Sequence, residues 1–591
     1  MNVEELETLA TEKGEWLMFY ALQKGQALSE ILPSLFAEVM LALPIAKRMR
    51  WGEHEQSFVR PVLSVVALMD AQVLPLEFFG VQAGRESLGH RMHHPQPVVI
   101  EEAMGYEQAL KEAFVLVEPN ERRAVIEAQV RDKAKALNAH ALLVPELLTE
   151  VASLVEYPVA VVGQFEARFL QVPQEVLITT MQDNQKTFAL VDDKGKMLPY
   201  FVAIANLQSQ DEAVVRKGNE KVIRPRFADA EFFWKQDLKR QLEDYLPALE
   251  KVVFQEKLGS LADKTRRMVS LSQALLPMLA GRLTLDEAQV MQAVRLSKCD
   301  LLSEMVMEFP ELQGIMGRYY AQQQGLDNEV ALALEQQYYP LQSGGDLPTG
   351  ETALLLAVVE KVEALVGGFA IGARPTGSKD PYALRRMAIG LIRLLLEKRL
   401  PLSLQAMFQA SAQTFAPELN AKAQVQAVRD YVLDRLQGYY REQGVSTEVY
   451  QAVRAVCEDD LLDFEARVRA LQAFLGGENQ AQANSLLASA KRIRNLLRKQ
   501  EAVGATVNEA LFVEQAEQAL WQQWLNIEPQ LSGDYAQVLT ALGSLASPLE
   551  AFFASVMVNA EDKALRRNRL ALLQRLQAGF DRVADLSLLS V

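Results

Sequence analysis

Gly372-Ala373-Arg374-Pro375-Thr376-Gly377-Ser378-Lys379-Asp380-Pro381-Tyr382-Ala383-Leu384-Arg385-Arg386 is the stretch that decides between two fold classes. Its two glycines, five residues apart and followed by Ser-Lys, have the spacing of a phosphate-cradling loop. Such a loop needs Lys directly after the second glycine to reach the outer phosphates, then a hydroxyl for magnesium. Here Ser378 precedes Lys379, so the lysine leaves the loop one residue late. Pro375 also removes a backbone N–H that a cradle would use. A second near miss, Gly345 to Gly350, carries Glu351 where Lys is needed, and an acid there repels phosphate. That segment reads as a turn and helix cap, and Gly372–Arg386 as a basic loop entering an amphipathic helix. A helical protein is expected rather than a nucleotide-binding α/β fold.

Working outward, the helix after the loop has Leu384, Met387, Ala388, Leu391, Ile392 and Leu395 on one face. Leu565, Leu572, Leu573 and Leu576 mark another such face near the C-terminus. Almost everything beyond residue 230 has this periodicity. Between about 58 and 230 the character is mixed α/β, with Val-, Ile- and Phe-rich runs at Pro61–Leu68, Val159–Phe165 and Glu175–Thr180. A hairpin is expected from Thr187–Asp192 to Tyr200–Ala205 through Asp193-Lys194-Gly195, and helices around 100–115 and 120–138. Residues 1 to about 50 read as helical from the spacing of Leu32, Leu35, Val39 and Ala42. Four regions follow: 1–57, 58–230, 231–400 and 401–591.

The 591 residues exceed what one core organises, and 49% hydrophobic with 23% charged residues is ordinary globular composition. No apolar run approaches the ~20 residues of a membrane span, and the acidic start has no signal-peptide core behind it. Cys299 and Cys457 are the only cysteines, which fits a reducing cytoplasm rather than a disulfide framework. A net charge of −15 disfavours a general nucleic-acid coat, but the local sign near the phosphates decides. Two local basic patches stand out. One holds Arg374, Lys379, Arg385, Arg386 and Arg393 against Asp380; the other holds Lys491, Arg492, Arg494, Arg498 and Lys499 with no acid. Lys491, Arg494 and Arg498 share a helical face, which leans towards anion binding.

Catalytic chemistry is sparse. The five histidines, His54, His90, His93, His94 and His140, all precede residue 141, and no nucleophile-elbow triad is present. Gly89-His90-Arg91-Met92-His93-His94-Pro95 reads mainly as a structural or substrate-contacting loop, since a metal would need a further ligand from elsewhere. The last helix is expected to open on Asn559 as N-cap. Lys563, Arg566, Arg567 and Arg569 then lie on more than one side of it, consistent either with a solvated helix or with phosphate positioning.

The segments around Asp263 and Lys298-Cys299-Asp300-Leu301 resemble the metal-dependent phosphohydrolases named for a His-Asp pair. Those enzymes hold a water-activating metal with histidines and aspartates. Cys299-Asp300 stands in place of the His-Asp pair, so Asp263 and Asp300 leave at most a weak all-oxygen site.

Pro375–Arg386 itself resembles the signature of the β subunit of bacterial heterotetrameric glycyl-tRNA synthetase. Further blocks agree in order: Met49-Arg50-Trp51-Gly52, Phe58-Val59-Arg60-Pro61, Gly89–Pro95, Met181-Gln182-Asp183-Asn184-Gln185-Lys186, Phe227–Trp234, Glu308–Tyr320, Ala490–Asn495 and Val556–Asp562. Family members start with a Gly-Thr-Glu-Glu-Leu-Pro-like strand that is not found here, so the resemblance implies a chain lacking the usual N-terminal segment, with Met1 expected to fall inside the first domain. Any role of that segment towards the α subunit stays open.

The resemblance implies a multidomain, predominantly helical chain. Region 1–57 would be a partial N-terminal helical region, and 58–230 similar to the editing-type module of the phenylalanyl synthetase large chain. Region 231–400 would be a degenerate HD-like bundle, and 401–591 an anticodon-binding-type bundle. It further implies a cytoplasmic tRNA-capturing subunit of glycine–tRNA ligase in an α2β2 assembly. The α subunit would activate glycine with ATP and magnesium, while this chain carries no cofactor, metal or catalytic residue of its own. Implied RNA contacts are Lys491, Arg492, Arg494, Asn495, Arg498, Arg566, Arg567 and Arg569. Arg374, Lys379, Arg385 and Arg386 either touch RNA or dock the bundle. A metal-dependent HD-type phosphohydrolase and a non-catalytic helical scaffold are the alternatives.

Overall fold

The computed structural model describes residues 7–11, 14–18, 25–53, 55–377, 379–477, 480–498 and 506–590, so His54, Ser378 and Lys499 lie outside the described residues. The chain divides into two units, Met1–Phe232 and Phe233–Val591.

The first unit begins with an antiparallel hairpin, Glu7–Thr11 with Gly14–Met18, before the helix Leu28–Ala42. This corrects the expectation of helix throughout residues 1–50. Gly14 closes the reversal at φ 123°, a backbone conformation that L side chains rarely adopt, and the helical spacing belongs only to the later part. A four-stranded antiparallel sheet follows, in the order His140–Ala141, Phe188–Val191, Met197–Ala205, Val159–Gln164. The helices Pro119–Ala136 and Pro145–Leu154 cover one face, burying Ile126, Val130, Leu147 and Val151 against Phe188, Leu190 and Val202. Gly163 lies opposite Phe201, and a Cβ there would stand 2.2 Å from the Phe201 ring, so the closest strand pair needs glycine at that position. The expected hairpin is present, and Asp192 turns it by accepting from the N–H groups of Lys194 (2.9 Å) and Lys196 (2.8 Å).

Two other strand expectations change. Glu175–Thr180 is not a strand: Gln174–Thr179 is helical and continues as a π-turn over Thr180–Asn184. Val176, Leu177, Thr180 and Met181 are buried at one- and four-residue intervals, a helical period, and Pro173 starts the turn. Within Pro61–Leu68 only Val65–Val66 and the start of Leu68–Met69 pair as strands.

Among the described residues the second unit is helical, with one short hairpin, Val253–Gln255 with Gly259–Ser260, and a few isolated bridges. Its apolar core runs continuously from Leu258 to Leu589, with the helix Glu351–Ala370 buried along nearly all of its length. One helical stretch, Tyr535–Ser555, is long and apolar enough by composition to cross a membrane. It is two core helices, Tyr535–Gly543 and Ala546–Ser555, burying Leu539, Leu542, Leu549 and Phe552.

Five buried charges of this core form one matched cluster. Glu360 and Glu363 meet Lys264, Arg267 and Lys298: Lys264–Glu360 is 3.2 Å, Lys298–Glu360 3.1 Å and Arg267–Glu363 2.9 Å, and Lys264 also pairs with Glu363. Burial pushes the Glu360 carboxyl up, but the two ammonium groups outweigh it and bring it to about 2. Lys361 donates to the carbonyls of Gln337 and Ala357, each at 3.4 Å, and burial, outweighing the pull of the Glu360 charge, lowers its ammonium to about 7.

Candidate nucleic-acid interface

The helix Gln480–Leu497 contains no acidic residue. Ala483, Leu486, Leu487, Ala490 and Ile493 bury its inner side, which turns Lys491, Arg492, Arg494, Asn495 and Arg498 outward, all exposed. They are not equivalent. Arg494 pairs with the buried Asp585 at 3.1 Å, pinning the C-terminal segment to the helix. Arg492 lays its guanidinium 4.3 Å over the ring of Phe553. Lys491 lies close enough to Glu448 to help hold that carboxyl below its usual range, after the hydroxyl and N–H of Ser590, the larger causes.

The helix Lys563–Phe580 is capped by Asp562, whose Oδ1 accepts from the N–H of Ala564 (2.7 Å) and Leu565 (3.1 Å). Asn559 is therefore not the N-cap; the helix starts three residues beyond the position read from sequence. Arg567 is exposed and Arg566 half-buried. Arg569 corrects an expectation. It is 6% exposed, so it presents no surface to an RNA. It donates to both carboxylate oxygens of Glu517, at 2.8 and 3.1 Å, and to the Met557 carbonyl at 2.9 Å. Burial pushes Glu517 up, yet Arg569 and the N–H groups of Glu514 and Val513 hold it below the usual carboxylate range. The pair fixes the Val556–Asp562 turn: Val556 and Val558 go into the core while Met557, between them, is 74% exposed. Spacing along one helix cannot report this, because Glu517 lies on another helix.

In the 372–386 segment three arginines secure carbonyls and an amide. Arg374 donates to Gln424 at 2.8 Å and lies over Phe369, Arg385 donates to the Gly377 carbonyl, and Arg386 donates to the Leu341 carbonyl at 3.2 Å. Asp380 accepts from the N–H groups of Leu384 (2.9 Å) and Arg385 (3.0 Å), so a carboxylate of the chain already occupies the anion position of the next helix. Lys379 and Arg386 are exposed.

The remaining candidates are used internally. The Nδ1 of His90 accepts from the N–H groups of Met92 and His93, both 3.2 Å, so its Nε2–H faces the Asn206 carbonyl. The Nε2 of His93 accepts from Gln208 N–H at 3.0 Å, and the Nδ1 of His94 donates to the Gln96 carbonyl at 3.1 Å. The loop is a backbone clamp. Asp263 forms a capping box with Ser260; the Ser260 N–H first and then Arg266 bring it down to about 2. Asp300 accepts from the N–H groups of Gly314 and Gly317 at the start of the helix Ile315–Gln323, and burial raises it to about 6. Among the described residues no group of three or more His, Cys, Asp or Glu gathers in a metal-holding arrangement.

Comparison with known proteins adds to this geometry. The profile described as glycyl-tRNA synthetase beta subunit matches residues 1–455, and that described as DALR anticodon binding domain matches residues 486–586. The chain is 54% identical over 595 residues to the glycine–tRNA ligase beta subunit of Dichelobacter nodosus, covering all of this chain and 85% of that protein. It is 44% identical to the protein of that name in Pseudomonas fluorescens strain SBW25, with 98% of this chain and 84% of the relative covered. The corresponding figures for Pseudomonas savastanoi are 45%, 98% and 84%.

Proposed function

The chain belongs to the family of glycyl-tRNA synthetase beta subunits, and from that premise we propose how it serves glycine–tRNA ligase: it captures tRNA for an α subunit that performs the chemistry. It is a subunit of an aminoacyl-tRNA synthetase, and its DALR-type bundle fits tRNA recognition. The observation that carries the reading is the acid-free helix Gln480–Leu497, which turns Lys491, Arg492, Asn495 and Arg498 outward inside the matched anticodon-binding region. Cationic side chains on one surface position an RNA through its phosphates, while unstacked loop bases are read by stacking and hydrogen bonds. Arg567, and in a separate segment Lys379 and Arg386, are further exposed cations suited to the same role.

We further propose that the complex is an α2β2 assembly in the cytoplasm that uses ATP and magnesium, with glycine activation on the α subunit. Nothing supports the phosphohydrolase alternative, since Asp263 and Asp300 spend their oxygens on backbone N–H groups and Arg266.

The test is aminoacylation of glycine tRNA by this chain alone and mixed with the α subunit, beside direct tRNA binding. The expected result is tRNA binding by this chain and charging only in the mixture. Charging by this chain alone, or no tRNA binding in either state, overturns the assignment of roles.

A further inference from the structure

We propose that Arg492 is a stacking platform for an unpaired RNA base rather than a phosphate contact; this rests on the tRNA-binding reading above. The arginines of the Gln480–Leu497 helix have different surroundings. Arg494 is drawn to a buried carboxylate. Arg492 instead lies against a ring, its guanidinium carbon 4.3 Å from the Phe553 centroid. Phe553 is half-buried and is backed edge-on by Phe552, with centroids 5.4 Å apart and planes at 75°, and Phe552 is wholly buried. The order from core to solvent is therefore Phe552, Phe553, Arg492.

A guanidinium is planar, weakly hydrated and able to stack on both faces. With one face on Phe553 and the side chain exposed, its other face is available to a flat partner. Glu550, one helical turn before Phe553, accepts from the Ser485 hydroxyl. Every nucleobase has a π-face, and single-stranded RNA is recognised by stacking on aromatic side chains or arginine planes. The matching ligand is an unstacked base of a tRNA loop. Lysine keeps the charge but has no plane, so charge and stacking can be separated at this residue.

The experiment uses the full chain and glycine tRNA transcripts carrying 2-aminopurine at successive anticodon-loop positions. Wild type is compared with R492K, R492A, F553L and the double variant K491A/R498A, with circular dichroism to establish folding. Stacking predicts that fluorescence at one loop position changes on binding to wild type and that this change is lost in R492K and reduced in F553L. R492K should bind roughly 5- to 50-fold more weakly, with its salt slope unchanged. Wild-type affinity in R492K, beside an R492A whose slope is shallower by about one unit, would make Arg492 a phosphate contact and overturn the proposal while leaving the tRNA reading intact. Unchanged binding in every variant, K491A/R498A included, would remove RNA binding from this helix altogether.

Discussion

Replacing Arg569 by Met separates a structural arginine from an RNA-binding one. The guanidinium makes two charge-assisted bonds to Glu517, at 2.8 and 3.1 Å, and a third bond to the Met557 carbonyl at 2.9 Å. Breaking a buried pair by removing one partner typically costs about 3–5 kcal/mol. Two N–H groups, from Val513 and Glu514, both at 2.9 Å, remain on the carboxylate. They place the expected loss at the lower end, about 3 kcal/mol. The assay is denaturant unfolding followed by tryptophan fluorescence, because Trp524, on the same helix as Glu517, is buried and reports this bundle. The pH dependence gives an independent sign. Glu517 has a depressed carboxyl in the fold, so its contribution is present above the unfolded carboxylate range and is lost as pH falls through the folded value. In R569M the unpaired, buried Glu517 escapes by taking a proton, so the gap from wild type should narrow between pH 8 and pH 5. A loss below about 1 kcal/mol, with tRNA binding weakened in a fully stable variant, would refute the structural assignment and return Arg569 to the RNA surface.

Other outcomes follow from the same geometry. Lys361→Met should stabilise the second unit by about 2–4 kcal/mol at pH 7, because it removes a buried ammonium whose burial cost outweighs its attraction to Glu360. The wild-type penalty is full below the folded value of about 7 and fades towards the usual lysine range, so calorimetry should show the K361M advantage shrinking as pH rises from 7 to 10. Arg494→Ala should lower stability by exposing the buried Asp585 to an unpaired state, whereas Arg498→Ala should leave the melting temperature unchanged and reduce the salt slope of tRNA binding by about one unit. Manganese or magnesium should leave the thermal midpoint of the isolated chain unchanged, and a clear rise would reopen a metal role for Asp263 or Asp300. Asp300→Ala should cost about 2–4 kcal/mol by orphaning the N–H groups of Gly314 and Gly317.

Much of this was legible in the chain itself. Apolar spacing marked the helices because one periodic face must be buried whatever it packs against, as at Leu384, Ala388, Leu391 and Leu395. The order Ser378-Lys379 and the acid at Glu351 removed nucleotide cradles by chemistry alone, and the ordered blocks around Pro375–Arg386 identified the family. The local readings failed where the controlling contact was conformational or distant. Gly14 opened a hairpin where helix was expected, and buried helical spacing turned Glu175–Thr180 from strand to helix.

The sequence by itself determined the family, the helical class and the presence of two cationic patches, because periodicity, composition and ordered motifs are properties of neighbouring residues. Only the tertiary structure decided what each cation does. Arg569 is spent on Glu517, Arg494 on Asp585 and Arg385 on a carbonyl, while Arg492 rests on a ring and Lys491 and Arg498 face outward. The reason is physical: a charge is available to a ligand only if no partner from another element has already compensated it, and that partner is chosen by the packing.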